Sequence, residues 1–139
     1  MELNYKGLKK LVDKAGFDEY EHYEFSGMEF MLFHSEYTED DKTEHRAPVF
    51  YMPSSVVDWD IYFGMNVIPE EFRKPVLLHE IAEIVIYKSL FGKGLTDSEK
   101  FKRAHSAARN FDDLYAKESF DKPKYQRFCE FRQKCLNGL

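Results

Sequence analysis

The chain has 139 residues, of which 43% are hydrophobic and 32% charged, so residues 1–139 are expected to form one domain with a substantial core. The net charge of −5 is unevenly spread: residues 1–60 contain 14 acidic and 6 basic residues, whereas residues 61–139 contain 11 and 14. An acidic first half argues against nucleic acid as a partner, because phosphate binding depends on clustered lysine and arginine.

A membrane partner is not expected either. Ionisable residues interrupt every apolar stretch before it reaches the ~20 residues that span a bilayer. The N-terminal segment MELNYKGLKKLVDKAGF lacks the apolar centre of a secretory signal. These features predict a cytoplasmic protein. The sequence contains no signature of an oligomeric state or of a particular substrate.

The N-terminal half predicts one helix followed by strands. Residues 8–17 have the apolar spacing of a short amphipathic helix that stops at a glycine. Residues 21–25 and 28–37 are rich in aromatic residues and flank a Ser-Gly pair, which is typical of a hairpin. Residues 47–53 predict a third strand closed by a proline, and residues 56–64 predict a fourth. Together these segments predict a small antiparallel sheet.

The C-terminal half predicts three helices, so the predicted fold class is α+β. Pro75 suits the first turn of a long apolar helix that extends to about Phe91. A second helix runs from an N-cap within residues 96–98 to about Lys117. Pro123 opens a third helix, whose expected packing face contains Tyr125, Phe128, Phe131 and Leu136.

The long apolar helix contains three ionisable residues in the segment VLLHEIAEIVIY, residues 76–87. On a helix with about 100° per residue, His79, Glu80 and Glu83 fall within one ~100° sector, and apolar residues occupy most of the remaining circumference. A helix that is apolar nearly all round is buried, and a buried charge without a partner is strongly unfavourable. These residues therefore predict a shared partner.

The spacing of His79 and Glu83 favours a metal ion as that partner. Residues at i and i+4 project from neighbouring turns of one helix face, as paired metal ligands do. The third ligand is expected to be His105, because an antiparallel helix pair joined by the loop after Phe91 brings it opposite Glu83. Asp112, on the same face as His105, is either a further ligand or a hydrogen-bond partner of a ligating imidazole.

Two histidines and one carboxylate are ligands typical of catalytic zinc, with one coordination position left for water. The expected cofactor is one divalent metal ion, with zinc favoured, although iron and manganese also use this ligand set. Glu80 points to the side of the ligand pair. It is expected to be the catalytic base, which takes a proton from water activated by the metal and passes it to the leaving group.

The segment RKPVLLHEIAE, on a helix that follows a strand region, resembles the active-site helix of zincin-like metallopeptidases, whose signature is His-Glu-x-x-His. The resemblance extends from Arg73 to about His105. It implies that His79 is the first metal ligand, that Glu80 is the general base and that His105 is the downstream ligand. Glu83 stands where the family has its second histidine. The implied function is that of a small metal-dependent hydrolase, a metallopeptidase that acts on a peptide or protein.

The same resemblance implies a peptide-binding edge strand beside the metal, lined by Tyr51, Trp59 or Tyr62. Two other interpretations of the ionisable residues stay open. In one, the carboxylates of the apolar helix pair with Arg73, Arg103 or Arg109 inside an ordinary core. In the other, the chain is a non-catalytic binding or regulatory module whose metal site is structural or degenerate.

Overall fold

The computed structural model describes residues 3–135, and the expected α+β fold is confirmed. Leu136, a predicted packing residue of the last helix, lies outside the described residues. The strands are β1 (His22–Phe25), β2 (Met28–Ser35), β3 (Val49–Pro53) and β4 (Trp59–Gly64). The helices are α1 (Tyr5–Lys14), α2 (Glu39–Thr43), α3 (Arg73–Ser89), α4 (Asp97–Ser119) and α5 (Lys122–Cys135).

The sheet has the strand order β1-β2-β4-β3. An antiparallel sheet was expected, but the sheet is mixed. β1 pairs with β2, and β3 with β4, in antiparallel fashion, whereas the central strands β2 and β4 are parallel. The cause is the connection after β2. It includes α2 and carries the chain to the sheet edge, so that β3 becomes the edge strand and β4 fills the centre.

The ends of α3 and α4 are set by local side-chain chemistry. Thr96 is the N-cap of α4: its hydroxyl accepts a hydrogen bond from the backbone N–H of Glu99, and the Glu99 carboxylate accepts one from the Thr96 N–H, both at 3.1 Å. A 3-10 turn at Glu70–Phe72 precedes α3, and Pro75 lies in its first turn, where no backbone N–H is needed. The capping box at Thr96 and Glu99 fixes the start of α4, and the 3-10 turn with Pro75 marks the start of α3.

α3 is the central element of the core, and all of its residues from Pro75 to Val85 are buried. It packs against α4, α1 and β3. Ala104 and Ala108 of α4 are fully buried, and their small side chains let α4 approach α3 closely. Within residues 3–135, none of the helices combines the length and the apolarity that a bilayer crossing needs.

Candidate metal centre

Three side chains from α3 and α4 converge inside the molecule. His79 and Glu83 come from adjacent turns of α3, and His105 faces them from α4. One potential ligand atom of each residue lies within 4.8 Å of the others. Oε1 of Glu83 is 3.2 Å from Nε2 of His79 and 2.9 Å from Nδ1 of His105. The structure thus brings together the three residues that the sequence predicts as metal ligands.

Asp112 contacts the opposite side of the His79 ring, where its Oδ2 is 2.6 Å from Nδ1. This contact leaves Nε2 of His79 facing Glu83. Arg132 of α5 donates to Oδ1 of Asp112 at 2.5 Å, and both residues are buried. Because both oxygens of Asp112 are engaged, it is a hydrogen-bond partner of His79 rather than a further ligand.

Tyr51 of β3 binds the second oxygen of Glu83. Its hydroxyl donates to Oε2 at 2.5 Å. Burial and the charge of Glu83 raise the pKa of Tyr51, so the hydroxyl keeps its proton and remains a donor. This contact joins the edge strand of the sheet to the candidate centre.

Of the three aromatic residues expected along a peptide-binding edge, only Tyr51 contacts the centre directly. Trp59 is half-buried and packs edge-on against Tyr51, with ring centroids 5.8 Å apart. Tyr62 stacks on Phe50, on the face of the sheet that points away from α3. The alternation of side chains along a strand separates Tyr62 from the centre.

Glu80 follows His79 directly and is only 3% exposed. Burial raises its pKa to about 8; the charge of His79 opposes this shift, and Glu83 adds to it. No hydrogen bond from another described residue contributes to the pKa of this carboxyl group. A divalent cation at the neighbouring centre would favour the ionised carboxylate and lower this pKa.

The hydrogen bonds of the centre lower the pKa of Glu83 and raise the pKa of His79. Burial disfavours the Glu83 carboxylate, yet its three hydrogen bonds outweigh burial and lower its pKa to about 2. Burial also disfavours the His79 imidazolium, but the contacts with Asp112 and Glu83 raise its pKa to about 9. In the metal-free protein, His79 therefore holds a proton between two carboxylates at neutral pH, and a bound cation would replace that positive charge.

The centre is open to solvent on the α4 side. The side chain of His105 is 34% exposed, whereas that of His79 is 3% exposed. A cleft of about 490 Å³ leads to this point, lined by Glu83, Phe101, Lys102, His105 and Ser106. A small ligand or an extended chain therefore has a path to the group.

The arginine pairing of the alternative interpretation is not formed. Arg73 donates instead to backbone carbonyl groups at the end of the preceding loop. Across residues 3–135, the ion-pair partners of Glu83 are His79 and His105 rather than an arginine. Glu83 is thus paired with two imidazoles rather than with a guanidinium group.

Sequence reasoning missed two residues of the centre, Tyr51 as a hydrogen-bond donor and Arg132. Arg132 lies four residues after Phe128, so a basic residue stood on the predicted packing face of the last helix. A charged residue on an apolar helix face could have indicated a buried acidic partner. For Tyr51, the sequence indicated only that the residue lies on a predicted strand.

Comparison with known proteins gives no relative: no family model, no curated protein and no solved structure matches the chain.

Proposed function

We propose that the protein is a metal-dependent hydrolase, with zinc as the preferred ion and a peptide or protein as the substrate. The observation that supports it most directly is the convergence of His79, Glu83 and His105 next to the buried Glu80. The resemblance of RKPVLLHEIAE to the active-site helix of zincin-like metallopeptidases supports the same reaction class.

The residues of the centre fit a divalent cation of the zinc type. They supply two imidazoles and one carboxylate, and the cleft beside His105 gives access for substrate. Asp112 holds Nδ1 of His79, which orients the ring and leaves Nε2 free for a metal, as is usual for ligating histidines. When bound, the ion supplies Lewis acidity, which lowers the pKa of water and polarises a carbonyl group.

Glu80 is the proposed proton carrier. Its carboxylate accepts a proton from the attacking water and delivers it to the leaving amine. The buried position suits this role, because desolvation makes the carboxylate a stronger base than one in water. Tyr51 positions Glu83 by fixing one of its two oxygens.

The edge strand β3 supports an extended polypeptide as the substrate. In the part of the chain that the structure describes, β3 pairs with β4 on one side and with no strand on the other. Extended peptides bind by adding a strand to such an edge. Through Tyr51 this edge lies beside Glu83, and the exposed ring of Phe101 adds an apolar surface at the cleft.

Glu80→Gln tests the proposal. Protein purified without chelator should contain about one equivalent of zinc, iron or manganese in the wild type and in the variant. Hydrolysis of a labelled casein digest should fall roughly 10²–10⁴-fold in the variant. Glu36→Gln, at an exposed loop position, is the matched control and should keep full activity. Unchanged turnover in Glu80→Gln, or a wild type that neither contains nor binds metal, would contradict the proposal.

A non-catalytic binding or regulatory module is the second candidate. It is favoured by the position of Glu80, which is 3% exposed and is not among the residues that line the cleft beside His105. In this case the wild type binds metal without hydrolysing the digest, and Glu80→Gln leaves metal content and stability unchanged.

A further inference from the structure

The face of the sheet that points away from α3, termed the outer face, carries a row of aromatic side chains. Phe33 of β2 stacks on Tyr62 of β4, with ring centroids 5.1 Å apart and planes inclined by 17°. Tyr62 stacks in turn on Phe50 of β3, at 4.9 Å and 12°. Tyr20, just before β1, meets Phe33 edge-on at 5.4 Å. These four residues form the aromatic row, which crosses the sheet.

The aromatic row is open to solvent. Leu32 beside Phe33, and Ile61 and Phe63 on either side of Tyr62, are buried in the core, so alternation directs the rings to the opposite face. At the two ends of the row, Tyr20 is 63% exposed and Phe50 is 45% exposed, and Met52 beside Phe50 on β3 is 46% exposed. The two central rings, Phe33 and Tyr62, are half-buried. Large apolar side chains that are exposed side by side are typical of interaction surfaces.

Three carboxylates share the outer face with the row and form the acidic group: Glu24, Glu29 and Asp60. Asp60 precedes Tyr62 by two residues on β4, so both side chains lie on one face. Glu24 of β1 lies directly opposite Glu29 of β2, a like-charge pairing that destabilises an antiparallel pair. A nearby partner for this pair is His22, whose Nε2 is 3.9 Å from Glu29.

The charge pattern selects the kind of partner. The four strands contain no lysine and no arginine. Aromatic residues on a sheet bind single-stranded nucleic acid when basic residues nearby contact the phosphate backbone of the nucleic acid. Here the acidic group would repel the phosphates. The outer face of a second copy would bring carboxylates together. A guanidinium or ammonium group, by contrast, stacks on aromatic rings and pairs with carboxylates.

We propose that the outer face binds a lysine- or arginine-bearing polypeptide segment of another protein. The cationic side chains stack on the aromatic row and pair with the acidic group. Four strands at a spacing of about 4.8 Å give the row a length of roughly 15 Å, which accommodates about five extended residues. This surface is separate from the candidate metal centre, which lies on the other side of the sheet.

Selection from a display library of random nine-residue peptides tests the proposal. Wild-type protein should enrich sequences with two or more arginines or lysines, in the presence of a metal chelator as in its absence. Phe33→Thr/Tyr62→Thr removes the rings, Glu24→Lys/Asp60→Lys reverses the charge, and Leu114→Ser removes an exposed apolar side chain from α4 as the control. For the best peptide, fluorescence anisotropy should show at least tenfold weaker binding to the first two variants and unchanged binding to the control.

Thermal melting establishes that each variant is folded. If the double threonine variant does not fold, the charge-reversal variant, which keeps every ring of the aromatic row, still tests the proposal. The proposal is overturned if no basic sequence is enriched, if acidic peptides are selected, or if both outer-face variants bind the selected peptide as the wild type does. Sedimentation equilibrium tests whether a second copy of the protein occupies the outer face instead. A dimer that the threonine variant abolishes would assign the face to a second copy and also overturn the proposal.

Discussion

The candidate metal centre and the outer face both contain carboxylates, and they differ in how Glu83 and Asp112 on the one side and Glu24 and Glu29 on the other are partnered. Glu83 takes part in three hydrogen bonds, and both oxygens of Asp112 are engaged. On the outer face, Glu24 and Glu29 lie opposite each other on adjacent strands. Buried polar groups must be satisfied within the protein, whereas water solvates those at the surface.

This difference predicts how each region responds to substitution. A change in the centre removes one partner from a buried group that has no water to replace it, so stability should fall strongly. A change on the outer face alters groups that water already solvates, so stability should change little while binding changes strongly. The following predictions compare the two regions, from the largest expected effect on stability to the smallest.

Arg132→Met should have the largest effect, because it leaves the buried carboxylate of Asp112 without its guanidinium partner. Removing one member of a buried ion pair lowers the free energy of unfolding by roughly 3–5 kcal/mol, measured by urea denaturation. Metal affinity, measured by competition with a chromophoric chelator, should weaken about 10–100-fold, because Asp112, which orients His79, loses the guanidinium group that holds it in place. Arg127→Met, which removes an exposed ion pair with Glu71, should change stability by less than ~1 kcal/mol. Equal effects of the two substitutions would contradict the buried role of Arg132.

Removal of the metal should have the next largest effect. Ligands that assemble only in the folded state link metal binding to folding. At a free metal concentration of 100 times Kd, the bound ion adds about 2.7 kcal/mol to the free energy of unfolding. The melting temperature should therefore fall with chelator and recover with added zinc, and Glu83→Gln should abolish most of this response. A metal-loaded wild type whose melting curve does not move with chelator would refute the linkage.

The pH dependence of stability should differ with and without metal. In the metal-free fold the pKa of His79 is raised from 6.5 to about 9, and that of Glu80 from 4.5 to about 8. Both groups bind protons more tightly when folded, so metal-free stability should fall as pH rises, from about 4.5 to 8 through Glu80 and from about 6.5 to 9 through His79, by up to about 1.4 kcal/mol per pH unit for each proton. The Glu83 pKa of about 2 has the reverse effect: its contribution is present above pH 4.5 and is lost as pH falls towards 2.

Metal competes with the proton on His79, so the stabilisation by added zinc should grow over the same rise in pH. Melting curves recorded at several pH values with zinc and with chelator should therefore diverge above pH 6.5. Glu80→Gln should reduce the pH slope of the metal-free protein without removing it, because His79 still titrates. Curves that stay parallel at all pH values would show that His79 does not exchange its proton for the metal.

The parts of this structure that depend on local sequence could be predicted. The periodicity of VLLHEIAEIVIY indicated a buried helix, and loop composition placed the next N-cap within residues 96–98, where the structure has Thr96. The convergence of His79, Glu83 and His105 followed from helical spacing and one short loop. The direction of the strands could not be predicted, because residues alternate between faces in the same way in parallel and antiparallel strands. The contacts of Tyr51 and Arg132 depend on how distant elements pack, which no local pattern specifies.

The smallest predicted effect has the opposite sign. Glu24→Lys replaces a like-charge pair with an opposite-charge pair across β1 and β2, so it should raise the free energy of unfolding by roughly 0.2–1 kcal/mol. Glu24→Gln should give about half of this gain, and 0.5 M salt should reduce it, since screening weakens exposed pairs. The same lysine should weaken binding of the selected basic peptide. A substitution that stabilises the fold while it weakens binding would indicate that Glu24 is retained for a partner; a loss of stability in both variants would instead show that Glu24 serves the fold.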